Sequence, residues 1–390
     1  MNSLSFYRLK IIMPVVVVTA TLIVSCGTGN NTGKEISING SKELIASAQR
    51  FSLEKTDSCT IITITDPWQG ATGIKQVYFL VNSNKRLPHF ADSSAIIRVP
   101  LKKIICMSTT HIAMVTALGE EDAIAGVSGA GYIYNENISQ RIREGYIYDV
   151  GYEAGLNNEL ILRISPDLMM MYGIGSESAG YLSKIKELGI KVIFNADYLE
   201  NDPLGKAEWI KIFGALFCRE ERADSIFRSI CASYDKIKVY VKNNITTKPN
   251  VLLGLPYRDT WFISPGDSYA SRFIEDAGGN YLWHDTRSSV SMPYSLENVF
   301  LQSLKADYWL NTGTATSKRD ISSLDPRLAD LPCFLKGNIY NNNKRISKSG
   351  GNDYWESGIL NPHLILKDIA AIIHPDLFPD NELYYYRKVE

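Results

Sequence analysis

Apolar residues recur at helical spacing over the longest stretch of the chain, residues 203–243. In its second part Ala223, Ile226, Ile230, Tyr234, Ile237 and Val241 fall on one stripe, and Glu220, Glu221, Arg222, Asp224, Arg228 and Lys236 cover the remaining surface. No Pro or Gly follows Gly214 there. At 1.5 Å per residue, about 24 residues make a rod of roughly 36 Å. The pattern breaks near residues 217–219, so "PLGKAEWIKIFGALF" forms a separate helix ahead of the rod. A helix of this length at mid-chain can bury one stripe against two halves and hold them apart.

Both halves read as strands alternating with short helices. In the first, "KIICM" is a buried strand, and Ser108, Thr109 and Thr110 supply N-cap chemistry for "HIAMVTALG". "AIAGVSG" and "IYDVGY" are strands, "NNELILRISPDLMMMYG" is a helix then a strand, "YLSKIKELG" a helix and "KVIFNA" a strand. After the rod come "PNVLLGLPY" (strand), "YASRFIEDAGG" (helix), "LENVFLQSLKADYWLNTG" (helix then strand), "NIYNNN" (strand) and a closing helix in "NPHLILKDIAAIIHPDLF". This alternation predicts an α/β fold: two Rossmann-like lobes with parallel sheets flanked by helices, joined by one long helix. Gly126, Gly151, Gly173 and Gly175 fall at strand ends, where open α/β sheets bind ligands. Residues 44–81 alternate differently, as a hairpin-rich opening punctuated by Pro67 and Gly70, with Trp68 as a packing anchor.

At 390 residues and 45% hydrophobic, the chain has material for two domains. Its 41 basic and 42 acidic residues give no reason to expect nucleic acid as a partner. The 22 tyrosines and 6 tryptophans suit a cleft that grips a large flat ligand. At the N-terminus, Arg8 and Lys10 precede an apolar run over residues 11–24 that is short for a membrane span. The run ends in Ile23-Val24-Ser25-Cys26, which resembles the lipobox of bacterial lipoproteins, and this resemblance implies a lipid on Cys26. A flexible Gly/Thr/Asn tether follows. The spacings of the five other cysteines match no zinc or redox motif.

Enzyme signatures are missing from the sequence: there is no G-x-S-x-G, H-E-x-x-H, Walker A or helix-opening G-x-G-x-x-G. The five histidines share no helix face at ligand spacing, and His111 and His374 read as helix-end or surface residues. No catalytic residue, cofactor or protein-bound metal site is predicted.

The run "NNELIL" followed by "PDL" and then "LGIKV" is the most specific signal. With "RVPLKKIICMSTTHIAMVTALG" and "AIAGVSG" it resembles the N-terminal lobe of the class III, helical-backbone substrate-binding proteins of ABC importers, lipoprotein branch. "FISPGDSYASRFIEDAGGNYLW", "YSLENVFLQSLKADYWL" and "NDYWESGILNPHLILKDIAAIIHPDLF" resemble their second lobe, so the likeness spans about residues 98–378. These proteins carry cobalamin, ferric siderophores or haem, and the metal would arrive inside that ligand. The resemblance implies that Glu159 and Glu297 each dock onto an arginine of a permease dimer. It also implies ligand contacts from Tyr132, Tyr134, Tyr152, Tyr172, Trp261, Phe262, Tyr354 and Trp355, with Arg258 or Arg287 available to an anionic chelate. Two positions depart from the cobalamin binder: Tyr152 or Glu153 replaces a tryptophan, and Ser357 replaces a cleft arginine.

The expected organisation is a signal peptide (1–25), a tether and β-rich segment (26–97), an N-terminal lobe (98–217), a backbone helix (218–243) and a C-terminal lobe (244–390). The implied protein is membrane-anchored, periplasmic or on the cell surface, with a metal chelate, an ABC permease and the membrane as partners. Two alternatives stand beside it: a lipoprotein that captures ligand without a permease, and a tetrapyrrole-handling enzyme that would need a histidine facing the cleft.

Overall fold

The computed structural model describes residues 41–88, 92–152, 155–173, 185 and 187–390. The signal segment, Cys26, its tether, Glu153, Gly175 and most of the helix expected at 181–189 lie outside the described residues.

The first lobe is a five-stranded sheet of β6 (Ile104–Cys106), β7 (Ile124–Val127), β8 (Tyr148–Asp149), β9 (Leu168–Met171) and β10 (Val192–Phe194). Its order is β10-β9-β6-β7-β8 and every pair is parallel. Burial on both faces explains why β6, β9 and β10 are unbroken apolar runs. The second lobe centres on β11 (Asn250–Leu253), β14 (Asn280–Tyr281), β16 (Tyr308–Leu310), β17 (Ile339–Asn341) and β18 (Arg387–Lys388), in the order β14-β11-β16-β17-β18. Only its β17–β18 pair is antiparallel. A small antiparallel sheet of β12 (Pro256–Tyr257), β13 (Thr260–Ile263) and β15 (Met292–Ser295) flanks it.

The connecting helix runs Glu220–Asn244, 25 residues. Cys218, in the left-handed conformation, ends the preceding helix Ile210–Phe217 and turns the chain into it. Its buried face is divided between the lobes: Ala223, Phe227 and Ile230 join the first core, Tyr234 and Val241 the second. Ile226 and Ile237 are only partly buried, and Phe227 replaces Ile226 as the deep contact. Polar ties reinforce its hold on both lobes. Arg222 Nε donates to the Ala117 carbonyl at 3.1 Å, and the Tyr234 hydroxyl donates to Asp276 at 2.8 Å.

Before the first lobe stands a sheet in the order β1 (Ser41–Lys42), β2 (Phe51–Lys55), β3 (Thr60–Thr65), β4 (Lys75–Asn82), β5 (Ile96–Val99). It is antiparallel except for β4–β5. The boundary expected at residue 97 cuts through β5. Phe51, Leu53, Ile62, Ile64 and Leu80 share one apolar cluster with Ile104, Ile112 and Phe213, so this sheet packs as part of the lobe. Trp68 packs on Phe194 with ring centroids 5.3 Å apart. His111 is not a surface residue: it is wholly buried near Phe213, and burial pushes its pKa down to about 3, so it stays neutral.

Candidate functional site

In both sheets the strand order reverses direction once, between β6 and β9 in the first lobe and between β11 and β16 in the second. The carboxyl ends at such a switch point form a crevice. Here the two crevices face each other. Thr109, which opens the helix after β6, and Tyr132 lie across a cavity of about 870 Å³ from Gly254 (after β11), Asn311 and Gly313 (after β16) and Asn342 and Asn343 (after β17). Phe262, Tyr269 and Trp355 add aromatic wall. Tyr132 is 70% exposed, and Phe262 and Trp355 are 54% exposed. Large aromatics held open around a cavity of this size match the general make-up of a ligand site.

The walls are held by hydrogen bonds within the protein. Asn311 sits at φ 57°, and its Oδ1 accepts from the Tyr386 hydroxyl at 2.7 Å, which leaves its Nδ2 to offer. Asn352 accepts from the Tyr354 amide at 3.0 Å and donates to the Asn342 carbonyl at 3.1 Å. A smaller chamber of about 200 Å³ adjoins the cleft and shares Tyr269 and Trp355 with it. Lys206 and Asp197 line this chamber. Burial lowers the Lys206 pKa and raises that of Asp197, and their mutual attraction opposes both shifts. Lys206 Nζ donates to the Asp197 carbonyl at 3.0 Å and lies 4.5 Å from the Tyr269 ring centroid.

The lobes also touch directly. Thr109 Oγ1 donates to the Trp355 carbonyl at 3.0 Å. The buried Glu356 carboxylate accepts from the amides of Tyr134 and Asn135 at 2.7 and 3.0 Å, bridging second lobe to first. Burial raises its pKa to about 7 against the pull of those two bonds, and Asp353 adds to the rise. A pKa raised in the folded state contributes stability below the ordinary carboxyl range and loses it as pH climbs through about 7. Between pH 4.5 and 8 this group is expected to remove on the order of 2 kcal/mol of stability. Urea midpoints across that range would show the decline, and Glu356→Gln should flatten it. An unchanged slope in the variant would assign the decline to other groups.

The aromatics expected in the cleft separate into distinct environments. Tyr132, Phe262 and Trp355 line it. Tyr354 is buried and faces the side chamber. Trp261 is wholly buried: its Nε1 donates to the Leu253 carbonyl and its ring lies 5.7 Å from Trp309, so it is core and not a ligand contact. Tyr134 belongs to a groove on the other side of the lobe junction, beneath the Arg345 guanidinium. Tyr172 packs toward Tyr198, ring centroids 6.4 Å apart, and Tyr152 is exposed; neither is among the described cleft-lining residues. Arg258 lies over the Tyr257 ring in the β12–β13 turn, and Arg287 lines a separate cavity with Lys248 and Arg272, so neither arginine reaches the cleft wall. Sequence reasoning missed Thr109, Tyr269 and the asparagines at 311, 342, 343 and 352. Their common signal is position: three of these asparagines stand within two residues of the carboxyl end of a second-lobe strand.

Glu159 and Glu297 occupy matching positions, one on each lobe. Each lies in the first turn of its helix, Asn158–Ile164 and Leu296–Ser303, and is exposed. Each has an exposed leucine one turn later, Leu162 and Leu301. Glu297 also lies 3.7 Å from Arg327, which Asp325 holds at 2.7 Å.

Two parallel α/β lobes, one connecting helix and a cleft between facing strand ends define a two-lobed binding protein. The chain belongs to the periplasmic binding protein family, whose model matches residues 104–344. This family consists of substrate-binding proteins, not enzymes, and it bears out the likeness carried by "NNELIL" and the motifs around it. A lipoprotein of Methanocaldococcus jannaschii is 28% identical over 332 residues, covering 82% of this chain and 77% of its own. A second lipoprotein of that organism is 26% identical over 334 residues, covering 82% of each. Among solved structures, the fold matches a periplasmic heme binding protein of Pseudomonas aeruginosa (TM-score 0.55, 15% identity, 74% of this chain and 98% of that one). It also matches an ABC-type Fe3+-hydroxamate transport system protein of Saccharomonospora viridis (TM-score 0.53, 18% identity, 80% and 98%).

Proposed function

We propose that this chain is a lipid-anchored substrate-binding protein that delivers a metal chelate to an ABC import permease. The observation that carries the reading is the cavity of about 870 Å³ between the strand ends of the two lobes, walled by exposed Tyr132, Phe262 and Trp355. A periplasmic heme binding protein and an Fe3+-hydroxamate transport protein among the fold neighbours support a chelate as the ligand class. The lipobox-like Ile23-Val24-Ser25-Cys26, together with the lipoprotein names of the two relatives, supports an anchor on Cys26 outside the cytoplasm. Glu159 and Glu297 are the docking carboxylates in this reading, one per lobe, held at a separation set by the connecting helix.

Tryptophan fluorescence of the mature chain, titrated with cyanocobalamin, haem and several ferric siderophores, tests it. At least one is expected to bind below about 10 µM, roughly 7 kcal/mol. Trp355→Ala is expected to weaken that ligand by tenfold or more, because truncating a large aromatic at a central contact commonly costs above 1 kcal/mol. If no chelate binds, the assignment fails.

A further inference from the structure

The side chamber beside the main cleft is built around a cation. Lys206 stands on the helix Pro203–Glu208, and its Nζ meets the Asp197 carbonyl at 3.0 Å and the Tyr269 ring at 4.5 Å from the centroid. Tyr269 also lines the main cavity, so one ring borders both the ammonium and that cavity. An ammonium has three N–H donors, and these contacts leave one for a further acceptor. The Asp197 carboxylate is engaged on its own side, where it accepts from Asn195 Nδ2 at 3.1 Å and from the Thr110 hydroxyl. The chamber walls are pinned. Arg50 Nε donates to the Leu199 carbonyl at 3.2 Å and the Gln69 amide to the Tyr198 hydroxyl at 3.0 Å, so the N-terminal sheet holds the loop that carries Asp197 and Tyr198. On the second lobe the Tyr269, Tyr354 and Tyr386 hydroxyls are hydrogen-bonded in series, and the last donates to Asn311 in the main cavity.

We infer that this chamber is a subsite for an oxygen-bearing side arm of the chelate, with Lys206 as the donor that reads it; the inference rests on the chelate reading above. At about 200 Å³ the chamber falls below the roughly 300–1,000 Å³ of a whole-ligand pocket, whereas the main cavity of about 870 Å³ lies within that range. The body of the ligand then occupies the main cavity, and one arm enters the chamber past Tyr269 and Trp355, which border both. Phe273, Ile359 and Ile365 cover the apolar stem of such an arm. Its terminal oxygen, from a carboxylate or an amide, takes the spare N–H of Lys206. An ammonium drawn out of water has lost hydrogen bonds that a ligand oxygen restores, and an arm ending in a methyl group would leave it unsatisfied.

The test titrates haem, cyanocobalamin and ferrichrome into the wild-type chain and two variants by calorimetry. Haem presents carboxylate arms and cyanocobalamin amide arms, so the probe that binds identifies the chemistry of the arm. Lys206→Met removes the donor at nearly constant length. Ile359→Trp fills the chamber and leaves Lys206 with its present contacts. For the probe that binds the wild type most tightly, each variant is expected to raise the Kd tenfold or more, because a hydrogen bond to a charged group is commonly worth that much. Urea midpoints show that the variants are folded, and Lys206→Met alone carries the test if the larger side chain prevents folding. A change under tenfold in either folded variant overturns the inference and leaves the chelate reading intact, since the ligand would then be confined to the main cavity or held in the chamber without Lys206. If no probe binds the wild type, the chelate reading fails and the subsite fails with it.

Discussion

With Glu159 and Glu297 both changed to alanine, chelate uptake is expected to fall to background while the chelate Kd stays within twofold of wild type. Neither glutamate lines the cleft, so binding has no route to the change. Neither caps its helix: Asn157 accepts from the Leu160 amide at 3.0 Å, and Ser295 accepts from Asn298 at 3.4 Å. Removing a first-turn carboxylate forfeits only about 0.3–1 kcal/mol of favourable interaction with the helix dipole, and alanine returns part of that through its higher helix propensity. Docking should respond much more strongly. A hydrogen bond to a charged partner is worth about 1.5–3 kcal/mol, so losing two weakens a complex by roughly 10²- to 10⁴-fold. Single variants should show intermediate uptake. Glu297 shares Arg327, so part of its charge is already engaged, and Glu159→Ala is expected to be the more damaging of the two. Radiolabelled-chelate uptake in cells carrying the cognate permease, read beside a binding titration, separates the two effects. Normal uptake by the double variant would favour a capture lipoprotein that works without a permease.

How far the chain could be read without coordinates depended on the range of the forces involved. The connecting helix was legible because its apolar stripe is local: 223, 230, 234 and 241 recur at helical spacing and all are buried. What the stripe could not disclose is that the change of lobe falls between Ile230 and Tyr234, since that depends on which distant strands arrive there. In β13 strict alternation separates the buried Trp261 from the exposed Phe262, and applying period two to "TWFI" would have split the pair. The cleft asparagines fail a different test. "NTG" and "NNN" are ordinary loop residues by composition, and they become a ligand wall only because β16 and β17 end beside the switch point. The N-terminal sheet was visible as alternating runs, yet its docking depends on carboxylates about 150 residues away, which no local pattern encodes.

Those carboxylates give the largest expected stability effect. Glu208 has no exposed surface, and it accepts from the backbone amides of Ala46, Ser47 and Ala48 at 2.7–2.9 Å. Lys211, itself buried, lies 3.1 Å away and also donates to the Leu44 carbonyl at 3.0 Å. Glu200 does the same one step along the chain, taking the amides of Gln49 and Arg50 and the Trp209 Nε1. Together they clamp residues 44–50 against the helix Pro203–Glu208, close enough that a Cβ at Gly205 would lie 3.1 Å from the Ser47 carbonyl oxygen. Glu208→Ala orphans three backbone donors and leaves Lys211 with the Leu44 carbonyl and, among the described residues, the more distant carboxylates of Glu43 and Asp224 at 3.6–3.9 Å. Breaking a buried pair from one side costs about 3–5 kcal/mol, and that is the expected loss in urea unfolding. Glu208→Gln keeps the volume and one acceptor, so it should cost less than the alanine variant. The pair Glu208→Ala and Glu200→Ala share one segment and are expected to be non-additive, because once either clamp opens the other holds a strand already freed. Limited proteolysis should then cut within residues 41–60 before the lobes unfold, a pattern that a uniformly weakened core would not give. A loss below 1 kcal/mol for Glu208→Ala would mean that the apolar face of the sheet, through Phe51, Leu53 and Ile64, holds the segment without the clamps.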